Sequence, residues 1–462
     1  MKFFKAMLLM MFLFCLGMVQ AAEAPAKYVF LLIGDGMGPT IRQFYQHEYP
    51  DTVLEKFPVS VQTGTNNVFG KCTDSAASGT AIACGIKTYN WAIGVDKDKR
   101  PVTSLAKILR DRGYSIGVIT SVALNDATPA AHYANRETRK EKAGIIEDLG
   151  KSNFDFFAGG ALALPPKVKL ADCGKQLKNS GYELLTQFQP NGTNPDKRVV
   201  YITSMAPDWP ADKVTKGHVL SDFTTFAAEA LSRNPKGFFL VVEGGAIDSG
   251  GHTNDLARTM REMVEFDKAV QSALAFQKKH PKDTLIVITS DHDTGGMNIA
   301  EKLPQDTTLW KKQLRSAQHI EKNFAKIFPG SSDEELIKFL CNELAMGNLT
   351  AEETAAMQKA LQDQRDPEIA GKKKKQFRSM YGYYNPVVIQ MLRLRDARCG
   401  ISWSTFGHSP RKVLTNAQGP GQELFKDVRE NVDIPAAISK AVLGENVMAK
   451  KRHPGNKGCC LR

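Results

Sequence analysis

Beyond Ala21 the chain has no apolar run long enough to span a bilayer, and it lacks the hydrophobic C-terminal tail that a lipid-anchor signal requires. The first absence argues against an integral membrane protein, the second against a lipid-anchored one. Aromatic residues make up only 8% and nowhere interleave with basic ones in an array, so no nucleic-acid-binding surface is indicated. Cysteine is sparse, eight in 462 residues. Cys15 lies in an N-terminal apolar run without a lipoprotein pattern, which leaves Cys72, Cys84, Cys173, Cys341, Cys399, Cys459 and Cys460. That odd set leaves at least one thiol unpaired even in an oxidising compartment, and its spacing does not fix connectivity.

What is present begins with a leader. Lys2 and Lys5 precede the apolar run Ala6 to Val19, and Val19-Gln20-Ala21 gives a small-residue cleavage signal, so residues 1–21 read as a signal peptide and the mature protein as periplasmic or secreted. A hydrophobic fraction of 42% supports a large core in one domain, taken as 22–445, followed by a basic polar tail over 446–462. The net charge of +12 suits an anionic substrate or surface without identifying it, and part of it sits in the leader, the tail and the Lys372–Lys375 run, read as a solvated loop.

Tyr28 to Ile33 is a continuous apolar run that ends in Gly34-Asp35-Gly36, the pattern of a strand buried on both faces with an acid at its carboxyl end. Similar runs cover Tyr114–Ser121, Phe154–Ala158, Val199–Thr203, Phe238–Glu243 and Thr284–Ser290. Helical patterns cover Thr103–Arg112, Asp222–Ser232 and Asn254–Lys279, the last with a core stripe of Met260, Met263, Val264, Val270 and Leu274. Alternating strands and helices predict an α/β fold, three-layer α/β/α, around a central, mostly parallel β-sheet. Residues from about 297 to 403, helical at Ala351–Leu361, read as an inserted helical cap.

Chemistry concentrates at strand ends, where ligands gather in such sheets. Lys71 to Thr80 sets Asp74 and Ser75 before a run of small residues, so Ser75 reads as a nucleophile at a helix N-terminus, where free N–H groups favour an anion. Glu243 to His252 places Asp248 and His252 four apart, a mixed oxygen and nitrogen set that suits zinc, with Gly250 and Gly251 leaving room around the ion. Asp291-His292 ends another strand. Two such sites suit a pair of ions about 4 Å apart, one for the attacking and one for the leaving oxygen.

In IGDGMG at Ile33–Gly38, TDSAASGTA at Thr73–Ala81, DATPAA at Asp126–Ala131, EGGAIDSGGH at Glu243–His252, TSDHDTGG at Thr289–Gly296 and GHSP at Gly407–Pro410 with AQGPG at Ala417–Gly421, the chain resembles the alkaline phosphatases. The resemblance implies a phosphate monoester hydrolase with two Zn2+ and one Mg2+, working through a phosphoserine. It assigns Asp248, His252 and His408 to one zinc, and Asp35, Asp291 and His292, with Ser75, to the other. Glu243, Thr128 and Asp35 fall to the magnesium, with Asp126 in its outer shell. Family spacing from Thr128 selects Arg139 as the phosphate-binding guanidinium, with Arg136 as competitor and Asp74 as the carboxylate that orients it. Ser249 stands where some family members carry a basic or imidazole group. A homodimer is implied by the resemblance alone. Two alternatives remain open: a phosphodiesterase or nucleotide pyrophosphatase of the same superfamily, whose usual nucleophile is threonine, and a non-catalytic exported phosphate-binding protein.

Overall fold

The computed structural model describes residues 25–188, 197–203, 205, 209, 220–328, 330, 332–366 and 375–448. The expected signal peptide, most of the Lys372–Lys375 run, the tail beyond Met448, and Cys459 with Cys460 lie outside the described residues.

The continuous apolar runs form the middle of a nine-stranded sheet in the order β2-β13-β8-β1-β7-β3-β4-β6-β5. Its strands are β1 Tyr28–Gly34, β2 Val59–Thr63, β3 Ser115–Ala123, β4 Phe156–Ala161, β5 Tyr182–Leu185, β6 Arg198–Ile202, β7 Phe238–Gly244, β8 Thr284–Ser290 and β13 Val413–Gln418. β1, β7 and β8 bury every residue, as strands covered by helices on both faces must. Seven strands pair in parallel, with one register shift between β3 and β4, and near one edge β13 alone is reversed, pairing antiparallel with both β8 and β2. Two hydrophobic clusters lie on opposite faces of the sheet. Val29, Leu31 and Ile33 point into one, and Tyr28, Phe30 and Leu32 into the other, the period-two alternation of a central strand.

The predicted elements appear with shifted ends: helices Leu105–Asp111, Leu220–Leu231 and Leu256–Lys279. In the last, Met260, Met263 and Val270 are fully buried while Val264 and Leu274 pack at the edge of their cluster. The excursion after β8 leaves through β10 Met297–Ile299 and returns through β11 Ile401–Trp403, and these two strands pair with each other, Met297 opposite Trp403. Between them helices Ala317–Ile327, Asp333–Glu343, Ala351–Arg365, Lys375–Tyr381 and Pro386–Arg398 enclose a third cluster that includes Ile320, Leu340, Met357 and Met391. Cys72, Cys84, Cys173, Cys341 and Cys399 are all free thiols. No helix among the described residues is long and apolar enough to cross a membrane.

Candidate active site

Because β1, β7 and β8 are parallel and aligned, with Gly34 beside both Gly244 and Ser290, the chain delivers Asp35, Glu243 and Asp291 to the carboxyl end of the sheet's central strands. Gly36 makes the approach possible. Its φ is +71°, and a Cβ there would sit 2.9 Å from the Asp248 Cα. Helix Ala246–Thr253 carries Asp248 and His252. Contrary to the sequence expectation, Gly250 and Gly251 do not leave open space beside Asp248 and His252. A Cβ at Gly250 would meet the Thr259 backbone at 2.8 Å, and one at Gly251 the Thr294 carbonyl at 3.0 Å, so the two glycines wedge this helix between the long helix Leu256–Lys279 and the turn after β8.

Ser75 opens helix Ser75–Cys84, and the Asp74 carboxylate caps it by accepting from the Ala77 N–H at 3.0 Å. The Ser78 hydroxyl donates to the Asp291 carbonyl at 2.6 Å and accepts from Asn431 at 2.8 Å, fixing that helix against the end of β8. Ser75 Oγ then lies 3.2 Å from His292 Nε2.

Three imidazoles point their Nε2 atoms into this pocket. A carbonyl oxygen only accepts, so His252 Nδ1–H donates to the Phe406 carbonyl at 2.6 Å and His408 Nδ1–H to the Thr73 carbonyl at 2.8 Å. Both Nε2 atoms are left as lone pairs, and they face each other at 3.2 Å. The Thr294 hydroxyl donates to Asp248 Oδ1 at 2.7 Å, so its oxygen accepts from His292 Nδ1 at 3.1 Å and frees His292 Nε2 in turn. That nitrogen faces Asp291 Oδ2 at 3.1 Å and Asp35 Oδ1 at 3.6 Å. Neither of those buried oxygens has a hydrogen-bond partner. The facing Nε2 lone pairs of His252 and His408, and the unpartnered carboxylate oxygens beside His292, fit a cation, and outward Nδ1–H bonds are how proteins orient metal-binding imidazoles.

Charge tells the same story. Burial, then Asp291, Asp248 and Glu243, push the Asp35 carboxyl well above its ordinary value. Asp291 is pushed up to about 7 and Glu243 to about 8, burial being the largest cause in both. Burial, with the neighbouring imidazoles, holds His292 well below its usual value and His408 lower as well. Such a concentration of carboxylates beside neutral imidazoles is unstable without positive charge. Two donor sets have ligand atoms within 4.8 Å of one another: Asp248, His252 and His408, and Asp35, Asp248 and His292. The second differs from the sequence expectation by drawing on Asp248, while Asp291 stands 3.1 Å from the same His292 nitrogen.

Beyond Asp35 lies an all-oxygen corner. Thr128 donates to Asp35 Oδ2 at 3.3 Å, and Glu243 Oε2 accepts from Thr120. Asp126 accepts from Arg139 at 2.8 Å and lies 3.4 Å from the Lys142 ammonium. Burial alone would raise its carboxyl, but Arg139 and Lys142 hold it below the usual range. Arg139 is 3.6 Å from Asp74, so Asp126 is its closer partner and Asp74 the looser one. Arg136 points elsewhere: it forks onto Asp148 at 2.9 and 2.7 Å and bonds the Gly144 carbonyl at 2.8 Å, pinning helix Lys142–Lys151. Ser249 is half-buried and offers no charge. Sequence reasoning missed Thr294 and Thr120, although Thr294 stands in the quoted stretch Thr289–Gly296.

The alkaline phosphatase family model matches residues 26–153 and 203–443. Alkaline phosphatase 4 of Bacillus subtilis is 32% identical over 436 residues, 90% of this chain and 89% of that protein. The Escherichia coli alkaline phosphatase is 31% identical over 342 residues, 60% of this chain and 72% of that one. Among solved structures, a cold-active alkaline phosphatase from Shewanella superposes with a TM-score of 0.74 at 30% identity, covering 90% of this chain and 99% of its own. A variant alkaline phosphatase from TAB5, solved with Mg bound in its M3 site, gives 0.63 at 27% identity, with 90% and 98% covered. With its sheet, its strand-end acids and this breadth of likeness, the chain belongs to the alkaline phosphatase family and is a phosphatase enzyme.

Proposed function

We propose that the chain hydrolyses phosphate monoesters to an alcohol and inorganic phosphate through a phosphoserine on Ser75. The observation that carries this is Ser75 Oγ at 3.2 Å from His292 Nε2, at a helix N-terminus, beside buried carboxylate oxygens of Asp35 and Asp291 that have no hydrogen-bond partner. The family is metal-dependent. Asp248, His252 and His408 would hold one zinc; Asp35, Asp291 and His292, joined by Ser75, the other; and Glu243, Thr128 and Asp35 a magnesium with Asp126 in its outer shell. Bound there, divalent ions supply Lewis acidity, lowering the pKa of an adjacent hydroxyl or water and neutralising the phosphoryl charge.

The residues perform the rest. Arg139, held by Asp126 and Asp74, presents a planar fork to two non-bridging oxygens of the phosphoryl group. The N–H groups behind Ser75 favour the anion. Ser75 gives up its hydroxyl proton as Oγ attacks phosphorus and the ester P–O bond breaks, the departing alkoxide takes up a proton to leave as the alcohol, and water then cleaves the phosphoserine P–O bond, returning a proton to Ser75 Oγ and releasing inorganic phosphate. The signal-like N-terminus supports action outside the cytoplasm, and a homodimer follows from the family.

Rates on p-nitrophenyl phosphate and on its bis ester test the substrate class. Faster monoester turnover is expected, and faster diester turnover establishes the phosphodiesterase reading instead. A Ser75→Ala protein as active as wild type would exclude the phosphoserine route, and a wild-type protein that binds phosphate without turning over any ester would be the binding protein. Metal analysis should find two zinc ions and one magnesium per chain.

A further inference from the structure

Trp91 breaks two habits at once. Its indole is 50% exposed, and its φ is +80°, a region that bulky side chains avoid. Its main chain is fully engaged despite that strain. The Trp91 N–H donates to Asp74 Oδ2 at 3.1 Å, and its carbonyl accepts from the Arg139 N–H at 2.7 Å. Trp91 therefore sits between the neighbour of the nucleophile and the guanidinium proposed for phosphate. Glycine would make both backbone bonds without strain, so the fold does not require the indole.

The loop is braced. Asn90 Oδ1 accepts from the Asp74 N–H at 3.2 Å and from Asn67 Nδ2 at 2.9 Å, and Asn90 Nδ2 donates to the Cys72 carbonyl at 3.1 Å. The Asn67 turn it grips carries Phe69, 66% exposed. The Lys140 ammonium lies over the indole, 4.8 Å from a ring centroid, a cation–π contact that orients the ring.

We propose that Trp91 is a stacking platform at the rim of the active site, selecting phosphate monoesters whose organic part carries a planar aromatic group. This rests on the monoesterase reading above. A half-exposed indole whose backbone is bonded to Asp74 and to Arg139 gains contact with a flat ring and gains little from a short alkyl chain.

The test is Trp91→Gly in the full-length protein, which removes the ring and relieves the backbone, so folding should survive with an unchanged or higher Tm. Specificity constants are compared on phenyl phosphate, a 5′-mononucleotide and glycerol phosphate. The ratio of aromatic to alkyl kcat/KM should fall about fivefold or more, with the glycerol phosphate value held. A fall confined to the mononucleotide assigns the platform to nucleobases, and one confined to phenyl phosphate assigns it to aryl esters. Inhibition by phenylphosphonate, compared with methylphosphonate, should weaken by the same factor, which separates stacking from the chemical step. A ratio unchanged within about twofold overturns the proposal, as does an equal loss on every substrate accompanied by a changed oligomeric state. Absence of all monoester turnover in the wild-type protein would instead overturn the monoesterase reading.

Discussion

At the residue scale, the two candidate arginines are separated by their partners. Replacing Arg139 by Ala should lower monoester kcat/KM by about a hundredfold or more, the usual effect of deleting a group that stabilises transition-state charge. Arg136→Ala should leave turnover nearly intact and lower Tm, since it strands Asp148 on helix Lys142–Lys151. Steady-state kinetics on the two variants decide the matter. Thr294 is the hinge between the two nitrogen-bearing ligand sets. Thr294→Val should cost about 10- to 100-fold in metal affinity, read by titration with a competing chelator, because Asp248 and the His292 ring lose the hydroxyl that orients them. The strand-end acids Asp35, Glu243 and Asp291 were legible, since an apolar run that stops at an acid is visible in one dimension. Thr294 and Thr120 were not. Each has a partner far along the chain, 46 residues away for Thr294 and 123 for Thr120, and no local pattern announces it.

At the scale of the element, the long helix Leu256–Lys279 carries an acid in its core side. Glu262 is fully buried, and that burial pushes its carboxyl up to about 7 against a slight pull from Arg258. A carboxyl that holds its proton more tightly when folded contributes its stability below the unfolded value near 4.5, and loses it as pH rises toward 7. Glu262→Gln should therefore raise Tm relative to wild type at pH 8 and leave it unchanged near pH 4.5, with a difference of up to about 3 kcal/mol. Thermal unfolding of both proteins across that range checks the sign. The helix itself was plain from its methionine stripe. β2 and β13 were not, because VSVQT and VLTNAQ mix polar and apolar residues on an antiparallel edge and lack the unbroken run that announces a central strand.

At the scale of the whole molecule, the helical excursion is tied to the site by a buried charge network. Arg395 contacts Asp396 at 2.5 Å and lies 3.6 Å from Asp255, which begins the long helix just after His252. Asp396 accepts from the Trp403 indole at 2.7 Å. Arg395→Ala leaves two buried carboxylates uncompensated and should cost about 3–5 kcal/mol in denaturant unfolding, with monoester turnover falling as Asp248 and His252 lose their support. The excursion was visible in the sequence as a long helical interruption between motifs. Its closure through β10 and β11 was hidden, since three-residue strands carry no periodic signal.

The place of β13 in the sheet has a consequence for biogenesis. It is inserted between β8 and β2, so an early segment can join the sheet only through one that leaves the ribosome near the end of synthesis, a few residues after His408. A nascent or truncated chain ending before that point has neither a docked β2 nor its third imidazole. The Asp248, His252 and His408 donor set can therefore come together only after this late segment is made, and products terminated before His408 should lack that set and be open to proteolysis.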